Sequence, residues 1–164
     1  MEEKVEKNFL DLLEKNQKII HKICRIYSNE EGYKDLFQEI VIQLWKSYSS
    51  FKGESKFTTW MYSVSLNTAM SLFRKVKKHE TKINIELVQD KIKHDEINDD
   101  DEIKVKKMYQ AIHQLNDVDK ALIMMYLDDK DYSEISRILG ITEGNARVKM
   151  NRARNKLKQL IKNR

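Results

Sequence analysis

The chain has 164 residues, 40% hydrophobic and 35% charged, with a formal net charge of +5. That supplies core material for one domain or two small ones, at a charge density well above the ~25% of ordinary globular chains. A lone cysteine, Cys24, excludes an intrachain disulfide; no apolar run reaches the ~18 residues of a membrane span and no segment resembles a signal peptide, so a cytoplasmic protein without membrane insertion is expected.

With no proline and four glycines, turn-makers are scarce and the predicted elements are long helices. Val5, Phe9, Leu12, Leu13, Ile20, Ile23 and Tyr27 mark a first helix, with Cys24 on its core face. "SNEEGY" breaks it at Gly32. Leu36, Phe37, Ile40, Val41, Leu44 and Tyr48 mark a second helix. The polar loop "SSFKGES" follows, with Ser55 as the expected cap of a third helix carrying Phe57, Trp60, Met61, Val64, Leu72 and Phe73. From Glu86 to Glu102 eight acids face two lysines, a net charge of −6 with little periodicity, which predicts a flexible acidic linker. Such a segment of ~20 residues can extend ~60–70 Å. A second block opens near Ile103, with Val105, Met108, Ile112 and Leu115 on one face, then Asn116 as a cap for Val118, Ala121, Leu122, Met125 and Tyr126. The fold class expected is all-α: two small helical domains, 4–78 and 103–164, joined by a linker over 79–102.

The C-terminal stretch "YSEISRILGITEGNARVKMNRARNKLK" carries the most specific pattern. Asp131 can cap a helix with Glu134 as its capping partner, and Tyr132, Ile135, Ile138 and Leu139 share one face. Gly140 stops that helix and Thr142 caps the next. Ala146, Met150, Ala153, Leu157 and Leu160 recur at helical spacing, which puts Gly144, Val148, Asn151 and Asn155 on the outer face, flanked by Arg147 and Arg152. Two helices about a three-residue glycine turn form a helix-turn-helix. Arginine suits guanine, asparagine suits adenine, and a small apolar side chain suits the thymine methyl in a major groove. Short helical hairpins also occur as plain solvated surface. Here the charge is one-sided: from Arg137 onward there are nine Lys or Arg and one acid, a net of +8. A phosphate backbone is the expected partner, ahead of an acidic protein or a membrane surface.

Catalysis and a bound metal or cofactor are not expected. There is no glycine-rich phosphate loop and no HExxH, the four histidines His21, His79, His94 and His113 are scattered, and the acidic run lacks the spaced glycine of a calcium loop. The stretch Ser50 to Met70 is different. Phe51, Phe57, Trp60 and Tyr62 interleave with Lys52 and Lys56. Phe57, Trp60 and Met61 fit a core face, yet rings beside lysines on a polar loop also suit unpaired bases, with Asn67 on the face of Trp60 as a base-edge partner.

Two segments carry a family resemblance. "DLFQEIVIQLWKSYSSFKGESKFTTWMYSVSLNTA", Asp35 to Ala69, resembles region two of bacterial sigma factors of the extracytoplasmic-function group, and Leu115 to Leu160 is similar to their region four. The resemblance implies that Asp35, Leu36, Gln38, Glu39, Gln43 and Trp45 bind core RNA polymerase. It implies that Phe51, Lys52, Gly53, Glu54, Ser55, Lys56 and Phe57, with Asn67, capture a flipped base of the minus-ten promoter DNA. It implies that Arg147, Val148, Lys149, Asn151 and Arg152 read the minus-thirty-five duplex, and that an anti-sigma protein restrains the chain. Two departures bear on base preference rather than fold: Asn116 follows Leu115 where the family carries proline, and Ala146 and Val148 stand where valine and serine are common. The alternatives are a stand-alone helix-turn-helix regulator, which leaves "DLFQE" and the aromatic loop unexplained, and a polymerase-binding decoy, which should lack that loop.

Overall fold

The computed structural model describes residues 2–79 and 99–163, and these form seven α-helices. α1 (Glu2–Tyr27), α2 (Glu30–Tyr48) and α3 (Phe57–His79) make the N-terminal bundle. α1 buries Phe9, Ile20, Ile23, Cys24 and Tyr27 as one stripe. The chain breaks at Ser28 and Asn29, not at Gly32. Asn29 caps α2 by accepting from the Gly32 amide at 2.9 Å, so the glycine lies inside the first turn. α2 then buries Leu36, Ile40 and Leu44 at four-residue spacing. At the start of α3 the Trp60 amide donates to the Lys56 carbonyl, so Lys56 rather than Ser55 sits at the cap position.

The C-terminal block comprises α4 (Asp99–His113), α5 (Asp117–Leu127), α6 (Tyr132–Leu139) and α7 (Glu143–Lys162). Residues 99–102, assigned to the linker on composition, are helical: acids in a first turn complement the positive end of the helix dipole. The rest of the expected flexible linker lies outside the described residues. Asn116 caps α5 through the Asp119 amide at 2.8 Å, Asp131 caps α6 through the Glu134 amide at 2.7 Å, and Thr142 caps α7 through the Asn145 amide at 3.1 Å. Gly140, at φ 65°, ends α6 in the left-handed conformation. Glu134 does not reach back to close a capping box; its carboxylate meets Lys130 at 3.1 Å and Thr59 at 3.2 Å.

The two blocks pack together. α3 lies against α5 and α6, and α1 against α4 and α5, so one hydrophobic core runs through both. α5 explains why. Lys120, Ala121, Leu122, Ile123, Met124 and Met125 are consecutive and all buried, and a helix apolar on all sides must be covered on all sides. α4 and α7 cover part of it; α1 and α3 cover the rest.

Candidate nucleic-acid interface

α7 is anchored by Ala146, Met150 and Ala153, fully buried, with Leu157 and Leu160 half-buried. Its opposite face is open: Gly144, Asn151 and Asn155 are exposed and Val148 is 50% exposed. Arg147 and Arg152 are exposed beside that face, and Lys149 is half-buried. The arrangement is therefore a helix held by small residues on one side and presenting amide, guanidinium and isopropyl groups on the other, the chemistry that discriminates base edges in a major groove.

The second surface surrounds the loop between α2 and α3. Phe51 lies 5.7 Å from Phe57 and 5.2 Å from Trp60, and Phe57 lies 5.4 Å from Trp60, ring centroid to centroid. Tyr48 extends the cluster at 6.2 Å from Trp60. All four rings are half-buried, so each serves the core on one side and the surface on the other. Lys52, Gly53, Glu54 and Lys56 are exposed around it, with Ser55 half-buried. Gly53 adopts φ 73°, a conformation that a Cβ would strain. Tyr62, counted with these aromatics on sequence, belongs elsewhere. It is 2% exposed, and its hydroxyl donates to Asp128 of the other block. Burial together with this bond to Asp128 pushes its phenol well above the usual range.

A third surface is the outer face of α2. Asp35 and Gln38 are exposed, Glu39 accepts from the Gln43 amide at 2.8 Å, and Trp45 is 45% exposed with its ring 5.1 Å from Phe9. Leu36, matched to the same motif, is instead buried at 5% and supports the face from within. Sequence reasoning missed Ile42, 45% exposed between Gln38 and Trp45; the three-to-four-residue spacing from Asp35 through Glu39 was the available signal.

Asn67 is exposed on α3 and lines a cleft of about 290 Å³ with Met70, Arg74, Val118, Leu139, Ile141 and Lys149. Thus Asn67 and Lys149, matched to different promoter elements, face one cleft between the blocks. A polar seam also joins the two blocks. The Tyr27 hydroxyl donates to the Asp117 carbonyl, Arg74 pairs with the Asp117 carboxylate, and Lys22 and Tyr62 both meet Asp128. Ser63 donates to the Ile138 carbonyl at 3.3 Å. Lys120, 1% exposed, sits 4.3 Å from the Phe73 ring centroid with its ammonium 3.4 Å from the Ile26 carbonyl. Burial, reinforced by the Lys77 charge, brings its amine down to about 8 despite Asp117. The signal for Lys120 was a lysine opening a run of seven apolar residues, Ala121 to Leu127.

Among the described residues, a helix-turn-helix in one block and an aromatic-basic loop in the other make an all-helical fold with the surfaces a promoter-reading protein needs. Residues 12–79 match the family model for Sigma-70 region 2, and residues 106–157 match that for Sigma-70, region 4. The chain belongs to the sigma-70 family, within the extracytoplasmic-function group of sigma factors. It is 25% identical to the ECF RNA polymerase sigma factor SigW of Bacillus subtilis, covering 94% of this chain and 89% of that protein. It is 28% identical to the RNA polymerase sigma factor YlaC of the same organism, covering 87% and 85%. The ECF RNA polymerase sigma-E factor of Haemophilus influenzae is 26% identical over 94% of this chain and 88% of its own length. Among solved structures, the sigma factor RpoE in complex with the anti-sigma factor NepR from Bartonella quintana superposes with a TM-score of 0.76 at 21% identity, covering 95% of this chain and 98% of that one. CnrH in complex with the cytosolic domain of CnrY gives a TM-score of 0.68 at 16% identity, covering 96% and 89%. Among the described residues no helix is long and apolar enough to cross a membrane.

Proposed function

We propose an assignment of the three surfaces within the chain's function. The chain is a sigma factor: it binds core RNA polymerase and directs promoter-specific transcription initiation, and it is not an enzyme. The observation that carries this is the presence of both family regions in the family's order, over 12–79 and 106–157. α7 reads the minus-thirty-five duplex through Arg147, Val148, Lys149, Asn151 and Arg152. The loop from Phe51 to Phe57, with Trp60 and Asn67, melts and captures the minus-ten element. A ring cluster beside exposed lysines supports that role, because stacking offsets the few kcal/mol lost on unstacking a base. Asp35, Gln38, Glu39, Gln43 and Trp45 dock on polymerase, with Leu36 holding their helix in place. The domains are 4–78 and 103–164, with 79–102 as the connection, into whose last four residues the first turn of α4 extends. The work is done in the cytoplasm, and an anti-sigma protein is the expected restraint, since the similar sigma factor RpoE is solved in complex with the anti-sigma factor NepR.

Run-off transcription with core polymerase and a randomised promoter library tests the reading. The expected result is transcripts from a defined subset of sequences, only when both proteins are present. Tight, specific binding to a duplex by the chain alone, with no transcript on adding core enzyme, would instead establish a stand-alone regulator.

A further inference from the structure

α7 carries a second feature that base-edge chemistry does not account for. Arg147 stacks on the Tyr132 ring, its guanidinium carbon 4.5 Å from the centroid, and Arg154 stacks on the Tyr126 ring at 4.6 Å. Arg147 and Arg154 are seven residues apart, two helical turns, and so form one row along one edge of α7. The tyrosines come from different helices: Tyr126 near the end of α5 and Tyr132 at the start of α6. Tyr126 is 43% exposed, a large ring left on the surface. Tyr132, Arg147, Glu143 and Lys130 line a cleft of about 410 Å³. Among the described residues no carboxylate pairs with Arg147 or Arg154.

We propose that Tyr132 is a positioning residue for promoter recognition: its ring holds Arg147 in the orientation that reads the minus-thirty-five element. The inference rests on the base-reading role given to α7 above. An arginine on a ring face keeps its in-plane N–H fork free, while its long side chain is confined before DNA arrives. A confined arginine loses less freedom on binding, and its fork is aimed at one place rather than many. Residues near the start of a recognition helix meet base edges, which places Arg147 over bases. Arg154, two turns on, falls toward the backbone, and Tyr126 holds it in the same manner.

The test uses holoenzyme assembled from core polymerase and the full chain, with transcription measured across a library of minus-thirty-five sequences. Arg147→Ala should flatten preference at one or two base pairs. Tyr132→Leu should flatten preference at the same base pairs by about two- to five-fold, the scale of an exposed cation–π contact. Tyr132→Phe, which keeps the ring, should retain the wild-type profile, and Tyr132→Leu combined with Arg147→Ala should lose nothing further. If Arg147→Ala flattens the profile and Tyr132→Leu leaves it intact, the positioning role is wrong while base reading stands. Equal loss on every sequence for Tyr132→Leu makes the tyrosine merely structural and overturns the proposal. No change in profile for Arg147→Ala removes the base-reading role and the proposal with it. A second measurement needs no substitution: in the free chain the Arg147 Cδ protons should show upfield ring-current shifts in NMR, and ordinary shifts there would also overturn it.

Discussion

Folding alters the chemistry of Lys120 within an accessible pH range. Its amine is brought from 10.5 to about 8, first by burial and then by Lys77, with Asp117 opposing. A lysine depressed in this way disfavours the packed state while protonated, so stability is gained as pH rises from about 8 toward 10.5. Tyr27 and Tyr62 act in the opposite sense above pH 10, because burial raises both phenols and their unfolded counterparts ionise first. His113, lowered by burial and by Lys120, adds stability that is lost as pH falls below 6.5. Urea unfolding should therefore show the wild type gaining on Lys120→Met by on the order of 1 kcal/mol per pH unit between pH 8 and 10. Parallel curves for the two proteins would show that Lys120 keeps its ordinary basicity. On the DNA side, Asn67→Ala and Lys52→Ala are both at exposed positions and should fold normally. Each should reduce permanganate reactivity of minus-ten thymines while duplex binding by holoenzyme is unchanged. Undiminished melting in both would return the loop to a purely packing role.

At the scale of the element, α2 and α7 each separate a holding face from a working face. α2 buries Leu36, Ile40 and Leu44 and turns Asp35, Gln38, Ile42 and Trp45 outward, with Glu39 half-buried beside Gln43. A charge reversal on the working face should leave the core untouched. Glu39→Lys is expected to abolish co-purification with core polymerase while shifting stability by no more than about 0.5 kcal/mol, as surface changes do. Loss of helical circular dichroism together with loss of binding would mean that the face holds the bundle rather than the polymerase. In the helix-turn-helix the same separation depends on Gly140, whose φ of 65° sets the angle between α6 and α7.

At the scale of the whole molecule, the seam decides what the free chain can do. The two promoter elements lie ~25 base pairs apart, or ~85 Å of duplex at 3.4 Å per base pair. Asn67 and Lys149 face a single cleft, so under the assignments proposed above no straight duplex can engage both blocks while the seam is closed. Those assignments then require core polymerase to stabilise a parted arrangement. The free chain should therefore bind DNA weakly, with steep salt dependence and little sequence preference. Asp128 accepts from both Lys22 and Tyr62 across the seam, so Asp128→Asn should loosen it. Fluorescence energy transfer between dyes at Lys18 and Lys158 should fall in Asp128→Asn and on adding core polymerase to the wild type. Unchanged transfer on polymerase binding would mean that the blocks work as one closed body.

The sequence by itself determined the helices, their caps at Asn116, Asp131 and Thr142, the open face of α7 and the aromatic-basic loop. These depend on interactions within a few residues of each other, which spacing and side-chain type expose directly. Boundaries that hinge on one hydrogen bond were less legible: Asn29 rather than Gly32 sets the start of α2, and Lys56 rather than Ser55 that of α3. The tertiary structure alone decided that the blocks share a core. Composition allowed them to sit far apart, since a helical stripe shows which side is apolar but not which partner covers it. The apolar run of α5 needed two partners, and packing against α1 and α3 supplied the second. That same packing turned Tyr62 from a candidate base-stacking ring into a seam residue, buried Lys120, and drew Asn67 and Lys149 to one cleft. Such outcomes depend on contacts between residues tens of positions apart, where burial and charge act across space and leave no period in the chain.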